Sequence, residues 1–182
     1  MKKLLEKRSL LIFSAILLVY GILFTLLKTG VIGAYYEGII LLTFINIILA
    51  VSLNLIVGFT GQLCLGHAGF MAIGAYISAI ISTKANLPFF LAIIVGAIVS
   101  AFFAALIGFP TLKLTGDYFA ITTLAFCEII RVIIMNIDYV GGARGFTGIP
   151  TKTTISISFW VMALTVVIIY NIIHSSQGRA ML

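Results

Sequence analysis

GFTGQLCLGHAGFMAIGAY, residues 58–76, decides the fold, because it sets glycines and polar side chains between two long apolar runs. The glycines are Gly58, Gly61, Gly66, Gly69 and Gly74, and the polar residues beside them are Thr60, Gln62 and His67. Glycine in a helix costs about 1 kcal/mol relative to alanine. Polar groups at membrane depth need partners in the protein or water in a cavity. The stretch therefore predicts a close-packed break in a membrane bundle, where the glycines permit packing and bending beside a pathway.

The composition is that of an integral membrane protein. Of the 182 residues, 62% are hydrophobic and 9% are charged, whereas soluble domains carry about 25% charged residues. The net charge of +6 is scattered over short loops, which indicates membrane topology and not a nucleic-acid partner. The two cysteines, Cys64 and Cys127, each lie inside or beside an apolar run, and the sequence indicates neither a disulfide framework nor a metal site.

Six spans of about 20 residues fit the chain and predict an all-α, polytopic transmembrane helix bundle. They cover about residues 10–27, 38–57, 67–83, 89–108, 118–136 and 155–173. Gly108 and Pro110 are expected to close the fourth span, and Asp117 is expected to cap the N-terminus of the fifth. Small residues recur every four positions in the fourth span, from Gly96 to Gly108, and predict close helix packing.

The basic residues near the span ends predict the orientation. Residues 1–9 hold a basic cluster before the first span, which indicates a cytoplasmic N-terminal flank. The first apolar run has the length of a full span and no cleavage site closes it, so we interpret it as an uncleaved span and not a signal peptide. Six spans return the C-terminus to the cytoplasmic side of the membrane.

Several polar side chains inside the predicted spans are candidates for a substrate pathway: Asn46, Asn54, Gln62, His67, Glu128 and Arg131. Asn46 and Asn54 share a helix face and either line a path or form hydrogen bonds between helices. Glu128 and Arg131 lie three residues apart, so they form either a gating or pathway pair or a structural ion pair facing the bundle. His67 has no carboxylate nearby in sequence, so we interpret it as a hydrogen-bonded packing residue.

The chain lacks the sequence patterns of catalysis. It contains no H-E-x-x-H, no G-x-S-x-G and no P-loop lysine. We therefore predict that it is not an enzyme and has no catalytic residues.

Three motifs in the same order resemble the LivM-type permeases, the membrane subunits of bacterial ABC importers for branched-chain amino acids. They are LNLIVGFTGQLCLGHAGFMAIGAY at 53–76, LTGDYFAITTLAFCEIIRVIIMN at 114–136 and GGARGFTGIP at 141–150. The resemblance implies a type II importer-like fold in a bacterial plasma (inner) membrane. It also implies import of leucine, isoleucine and valine by alternating access.

The resemblance further implies the partners. They are a LivH-like permease subunit, two cytoplasmic ATPase subunits that bind the ATP, and a periplasmic or extracellular substrate-binding protein. No cofactor is expected in this chain itself. Residues 174–182 resemble the start of the cytoplasmic loop that docks onto the ATPase, with Ser176, Gly178 and Arg179 as the docking residues.

The resemblance leaves alternatives open. The chain looks like the N-terminal part of a longer permease, truncated at its C-terminus. Permeases for urea or other small amides share the pattern, and an ion-coupled secondary carrier could use Glu128 and Arg131 for coupling. A membrane enzyme is disfavoured, because the sequence lacks clustered acids, bases or metal ligands at one membrane depth.

Overall fold

The computed structural model describes residues 16, 18–25, 33–84, 88–114, 116–149, 152–175 and 178. Six helices account for the regular structure of these residues: α1, described at 16 and 18–25, α2 (Ala34–Asn54), α3 (His67–Lys84), α4 (Phe89–Thr111), α5 (Asp117–Asn136) and α6 (Ile155–His174). A π-helical turn, Leu55–Phe59, continues α2, and two 3₁₀ turns, Asp138–Val140 and Gly142–Arg144, follow α5. The predicted all-α fold class is confirmed.

Four helices of the described chain are long and apolar enough to cross a membrane. They correspond to Tyr35–Phe59, Phe89–Thr111, Asp117–Asn136 and Ile155–His174. The 18-residue α3 begins with His67 and ends with Lys84, and these two polar ends lower its mean hydropathy. That α3 crosses the membrane stays a prediction, and half of the predicted first span lies outside the described residues.

The end of α4 differs from the sequence prediction. The helix does not close at Gly108 but continues through Pro110 to Thr111. Proline lacks the N–H that would donate to the carbonyl four residues earlier. Because Pro110 stands in the last turn of α4, the helix loses only this one backbone hydrogen bond. The Thr111 hydroxyl donates to the carbonyls of Ile107 (2.9 Å) and Gly108 (3.1 Å), which stabilises that turn.

The start of α5 also differs. Gly116, and not Asp117, occupies the N-cap position, and no side chain caps the helix. Gly116 has φ 59° and ψ −132°, a backbone conformation that glycine adopts without steric cost. Asp117 lies in the first turn instead, where its negative charge complements the helix dipole.

The described chain divides into two compact units. The first unit contains α1, α2 as far as Ser52, and the chain from Thr153 through α6; the second unit contains the chain from Leu53 to Lys152. In the first unit, Phe44, Ile155 and Phe159 form a buried cluster. The Phe159 ring lies 5.2 Å from the Tyr20 ring and 5.7 Å from the Phe44 ring, so aromatic contacts join α1, α2 and α6.

The second unit is built around α3, which packs against both α4 and α5. Its contact with α4 occurs where a Cβ built on Gly96 would lie 2.7 Å from the carbonyl oxygen of Gly74. Ser100 of α4 donates its hydroxyl to the Phe70 carbonyl at 2.7 Å. The small residues therefore bring two helix backbones together, as the stripe in the fourth span predicts.

Candidate functional site

The break between α2 and α3 is the candidate site that the sequence indicates most strongly. The chain leaves α2 through the π-helical turn Leu55–Phe59, and Thr60 closes that turn with bonds from its N–H (3.2 Å) and hydroxyl (2.6 Å) to the Ile56 carbonyl. Gly61 follows with φ 67°, which a residue with a side chain rarely adopts. π-helical turns are frequent at functional sites, and this one ends α2 where the break is predicted.

The end of the break is fixed to α5 by backbone contacts. The Leu65 N–H donates to the Thr123 hydroxyl at 3.1 Å, and that hydroxyl donates to the Ala120 carbonyl at 2.9 Å. A Cβ on Gly66 would lie 2.6 Å from the Thr123 carbonyl oxygen, and one on Gly69 would lie 3.1 Å from Cys127 Cα. Gly66 and Gly69 are therefore packing glycines: a side chain at Gly66 would collide with the α5 backbone, and one at Gly69 would be tightly packed against it.

The other glycines of the stretch have different surroundings. A Cβ on Gly58 would meet the Asn54 side chain, which lies along the π-helical turn. Gly74 is in ordinary contact with Ser100, and Gly61 has open space around it. The glycine-rich stretch therefore combines two tight backbone contacts with one position of unusual φ.

Glu128 and Arg131 form an ion pair on α5. Arg131 Nη1 lies 3.1 Å from Glu128 Oε1 and 3.3 Å from Oε2. The side chains are 65% (Arg131) and 58% (Glu128) exposed, so the pair lies on the surface of its unit. A different face of α5, which carries Thr123, Cys127 and Ile130, lies against Gly66 and Gly69. The pairing predicted from the sequence spacing forms, and the structure places it on the outward face of the helix.

The remaining pathway candidates are divided between the two units. Asn46 and Asn54 are both exposed on α2, but Asn46 belongs to the first unit and Asn54 to the second. Gln62 and His67 are half-buried, at the middle of the break and at the first residue of α3. Their roles in a pathway stay predictions. No group of three or more His, Cys, Asp or Glu residues that could hold a metal ion occurs among the described residues.

Two features of the second unit were not recognised in the sequence. One is the role of Thr123, which faces Gly66. Cys127, four residues later on α5, faces Gly69, so a small side chain stands opposite each glycine. The other is the contact of Lys84 with Tyr139, where Lys84 Nζ lies 3.0 Å from the ring centroid and donates to the Tyr139 carbonyl at 3.3 Å. The spacing of Thr123 and Cys127 was readable, whereas the Lys84 contact joins residues 55 apart and had no local signal.

The chain after α6 turns back onto the helix end within the first unit. The Gly178 N–H donates to the Ser175 hydroxyl at 3.1 Å, and that hydroxyl donates to the Ile172 carbonyl at 2.6 Å. A Cβ on Gly178 would collide with the carbonyl oxygens of Ile172 and Ile173. Ser176 and Arg179, the other predicted docking residues, lie outside the described residues.

The family described as "Branched-chain amino acid transport system / permease component" matches residues 35–181, which is most of the chain and includes the break, the Glu128–Arg131 pair and Gly178. The chain belongs to this permease family. The resemblance stated from the three motifs is thereby confirmed.

Curated relatives of this permease family member include the high-affinity branched-chain amino acid transport system permease proteins LivM of Salmonella typhimurium and Escherichia coli. They are 43% and 42% identical over 91 residues, which cover 50% of this chain and 21% of each relative. The chain therefore matches about a fifth of the length of these LivM proteins. No solved structure matches the chain.

Proposed function

We propose that this chain is a membrane-spanning permease subunit of an ABC importer and forms part of the translocation pathway for branched-chain amino acids. The observation that carries the proposal is the family match over residues 35–181. The apolar helices of the described chain support residence in a membrane, and we propose the bacterial inner membrane with a cytoplasmic N-terminus.

Transport is proposed to proceed by alternating access, driven by separate ATPase subunits. In this scheme a second, LivH-like permease completes the pore and a substrate-binding protein delivers the amino acid. ATP binding brings the two ATPases together, and the docking segment passes their motion to α6. The contact of Gly178 with the helix end supports this role, because the Gly178 N–H donates to the Ser175 hydroxyl, which donates in turn to the Ile172 carbonyl of α6.

The packed helices α3, α4 and α5 of the second unit are proposed to transmit that motion without deforming. Its helices meet through backbone atoms at Gly66, Gly69 and Gly96, and such contacts leave little room for sliding. Unusual backbone is concentrated at the break, in the π-helical turn and at Gly61. We infer that bending occurs there, beside the substrate.

Uptake measurements test the substrate and the energy source together. Deletion of the gene for this chain in its own cell should abolish uptake of labelled leucine, isoleucine and valine, and re-expression should restore it. Urea uptake should not change, which separates this proposal from an amide permease. Leucine uptake that stops when a protonophore collapses the proton gradient, while cellular ATP is held constant, would indicate an ion-coupled carrier and contradict the proposal.

Co-purification tests the ATPase docking. Arg179→Glu should reduce the recovery of ATPase subunits with this chain about tenfold or more, because a charged contact is lost and a repulsive one is introduced. Lys152→Glu is the matched control and should leave recovery unchanged, because Lys152 lies between the predicted fifth and sixth spans, which a cytoplasmic N-terminus places on the outer side. Equal recovery with both variants would remove Arg179 from the docking role.

A further inference from the structure

The Glu128–Arg131 pair occupies an unusual position for two exposed charges. α5 is apolar enough to cross a membrane, and Glu128 lies eight residues before its last residue, Asn136, which is about 12 Å along the helix axis. Charged side chains at such depth are costly against lipid and face water or protein instead. The outward face of α5 at this pair is therefore turned toward a wet or proteinaceous space in the assembled transporter.

We propose that Glu128 and Arg131 together bind the charged head group of a zwitterionic α-amino acid during translocation: the Glu128 carboxylate accepts from the ammonium group and the Arg131 guanidinium donates to the carboxylate. This inference rests on the proposed function and deepens it. It assigns two residues of this chain to the recognition of the amino acid's head group.

The geometry of the pair leaves room for such a ligand. Both bonds to Glu128 use Nη1 of Arg131, so the Nη2 and Nε hydrogens are available to a carboxylate. A guanidinium binds a carboxylate through two parallel N–H donors of this kind. Each Glu128 oxygen accepts one bond from Nη1 and keeps a lone pair for an ammonium group. The high exposure of both side chains gives a ligand access.

The net charge of the pair matches that of the ligand. A carboxylate beside a guanidinium is neutral as a unit, and a zwitterionic head group presents the two opposite charges in complementary order. A ligand with a single charge would gain one partner and be repelled by the other. Urea carries no formal charge and would compete poorly with water at both groups.

The apolar surroundings of the pair fit a branched aliphatic side chain. Leu124 and Val132 lie four residues before and after Glu128, on the same face of the helix, and they are 52% and 49% exposed. A ligand held by its head group at Glu128 and Arg131 would lay its side chain against one of these two residues. This contact favours leucine, isoleucine or valine over small polar amino acids.

Competition binding tests the inference with probes that lack one charge. The transporter is purified from its own cell with the subunits that accompany this chain, washed free of substrate-binding protein and placed in lipid nanodiscs. Labelled L-leucine is displaced by L-leucine, by L-leucinamide, which lacks the carboxylate, by 4-methylpentanoate, which lacks the ammonium group, and by urea. The unaltered transporter should bind L-leucine at least about tenfold more tightly than the other three.

Two substitutions assign each charge to its partner. Glu128→Gln should weaken L-leucine about tenfold and leave 4-methylpentanoate unchanged or tighter, because that probe has no ammonium group to lose. Arg131→Gln should weaken L-leucine similarly and leave L-leucinamide unchanged or tighter. Glu37→Gln and Arg144→Gln, exposed residues elsewhere in the described chain, are matched controls and should leave all four affinities unchanged.

The outcomes separate this inference from the proposed function. Equal weakening of all probes by Glu128→Gln and Arg131→Gln, or no weakening, would show a structural ion pair and overturn the inference alone. Absence of leucine binding by the unaltered transporter, when gene deletion abolishes leucine uptake, would overturn it as well. Leucine uptake that survives gene deletion would overturn the proposed function itself. If a single variant fails to assemble, the neutral double variant Glu128→Gln/Arg131→Gln replaces it and should lose the preference for L-leucine over both one-charge probes.

Discussion

The helices inside each of the two units of this permease family member pack in opposite ways. In the first unit, aromatic rings of α1, α2 and α6 fill the space between the helices, with Phe159 at the centre. In the second unit, the absence of side chains lets α3 approach α4 and α5 until backbone atoms touch. Lipid tails are as apolar as the side chains of the helices, so helices in a membrane gain little from the hydrophobic effect when they associate. Both units therefore depend on close packing and hydrogen bonds.

The difference teaches where each unit is vulnerable. A large-to-small substitution in the aromatic cluster leaves a cavity in the first unit. A substitution that adds a side chain at a packing glycine separates the helices of the second unit. The sequence supplies a reporter for each unit. The single tryptophan, Trp160, lies 6.0 Å from Phe159 in the first unit, and both cysteines, Cys64 and Cys127, lie in the second.

The largest effect is expected for Phe159→Ala. Phe159 is 3% exposed, and its removal should lower the free energy of unfolding by about 3 kcal/mol, because a large cavity opens between three helices. Trp160 fluorescence during unfolding in mixed detergent measures the change. Leu164→Ala, an exposed position on the same helix, is the control and should cost less than half as much. An equal cost at both positions would mean that the aromatic cluster does not hold the first unit.

A smaller effect of the opposite kind is expected for Gly96→Ala. The added methyl group meets the Gly74 carbonyl and Ser78, and the resulting overpacking should cost about 2 kcal/mol. The rate at which a thiol reagent labels the buried Cys64 should rise, and Trp160 fluorescence should not change. Gly108→Ala on the same helix has open space and should be neutral or stabilising, since alanine favours a helix. Faster labelling in Gly108→Ala would contradict the packing argument.

Thr123→Val tests the hydrogen bond that ends the break and should cost about 1 kcal/mol, because the Leu65 N–H loses its acceptor while the side-chain volume is kept. The Leu65 amide should exchange its hydrogen faster, as measured by mass spectrometry. Thr123→Ser keeps the hydroxyl and should retain most of the protection. Thr122→Val removes only a bond within α5, so protection at Leu65 that falls equally in this variant would count against a specific role for Thr123.

The smallest effect is expected for Lys84→Gln, which removes the cation from the Tyr139 ring. A partly exposed cation–π contact contributes about 0.5–1 kcal/mol. Amide hydrogens of residues 138–144 should exchange slightly faster, and Tyr139→Phe, which keeps the ring, should not alter the exchange. Lys113→Gln, an exposed lysine in another turn, serves as the control. Identical exchange in Lys84→Gln and the unaltered chain would mean that the contact adds nothing to the order of the loop.

Much of the fold was readable from local sequence. The helices from α2 to α6 follow the apolar runs, because a run of about 20 apolar residues has few other ways to satisfy its backbone in lipid. The two wrong predictions, the end of α4 and the cap of α5, also concern local structure. α4 continues past Gly108, where a hydroxyl stabilises its last turn, and Asp117 is not the cap because it already lies in the first turn, after Gly116.

The candidate site was readable only in part. The glycines at 58–74 indicated a break, and the spacing of Glu128 and Arg131 indicated a pair. The sequence could not tell a glycine that touches backbone, such as Gly66, from one in open space, such as Gly61. It also could not tell which face of α5 packs inward, because both faces of this helix carry apolar residues.

The sequence by itself therefore determined the membrane class, the helices and the family, because hydropathy and motif order are properties of neighbouring residues. Only the tertiary structure decided which side chains meet. It joined Leu65 to Thr123 and Lys84 to Tyr139 across 58 and 55 residues, and it left Glu128 and Arg131 on an open face. Such contacts depend on where helices cross, and a crossing is set by the shapes of two distant surfaces together.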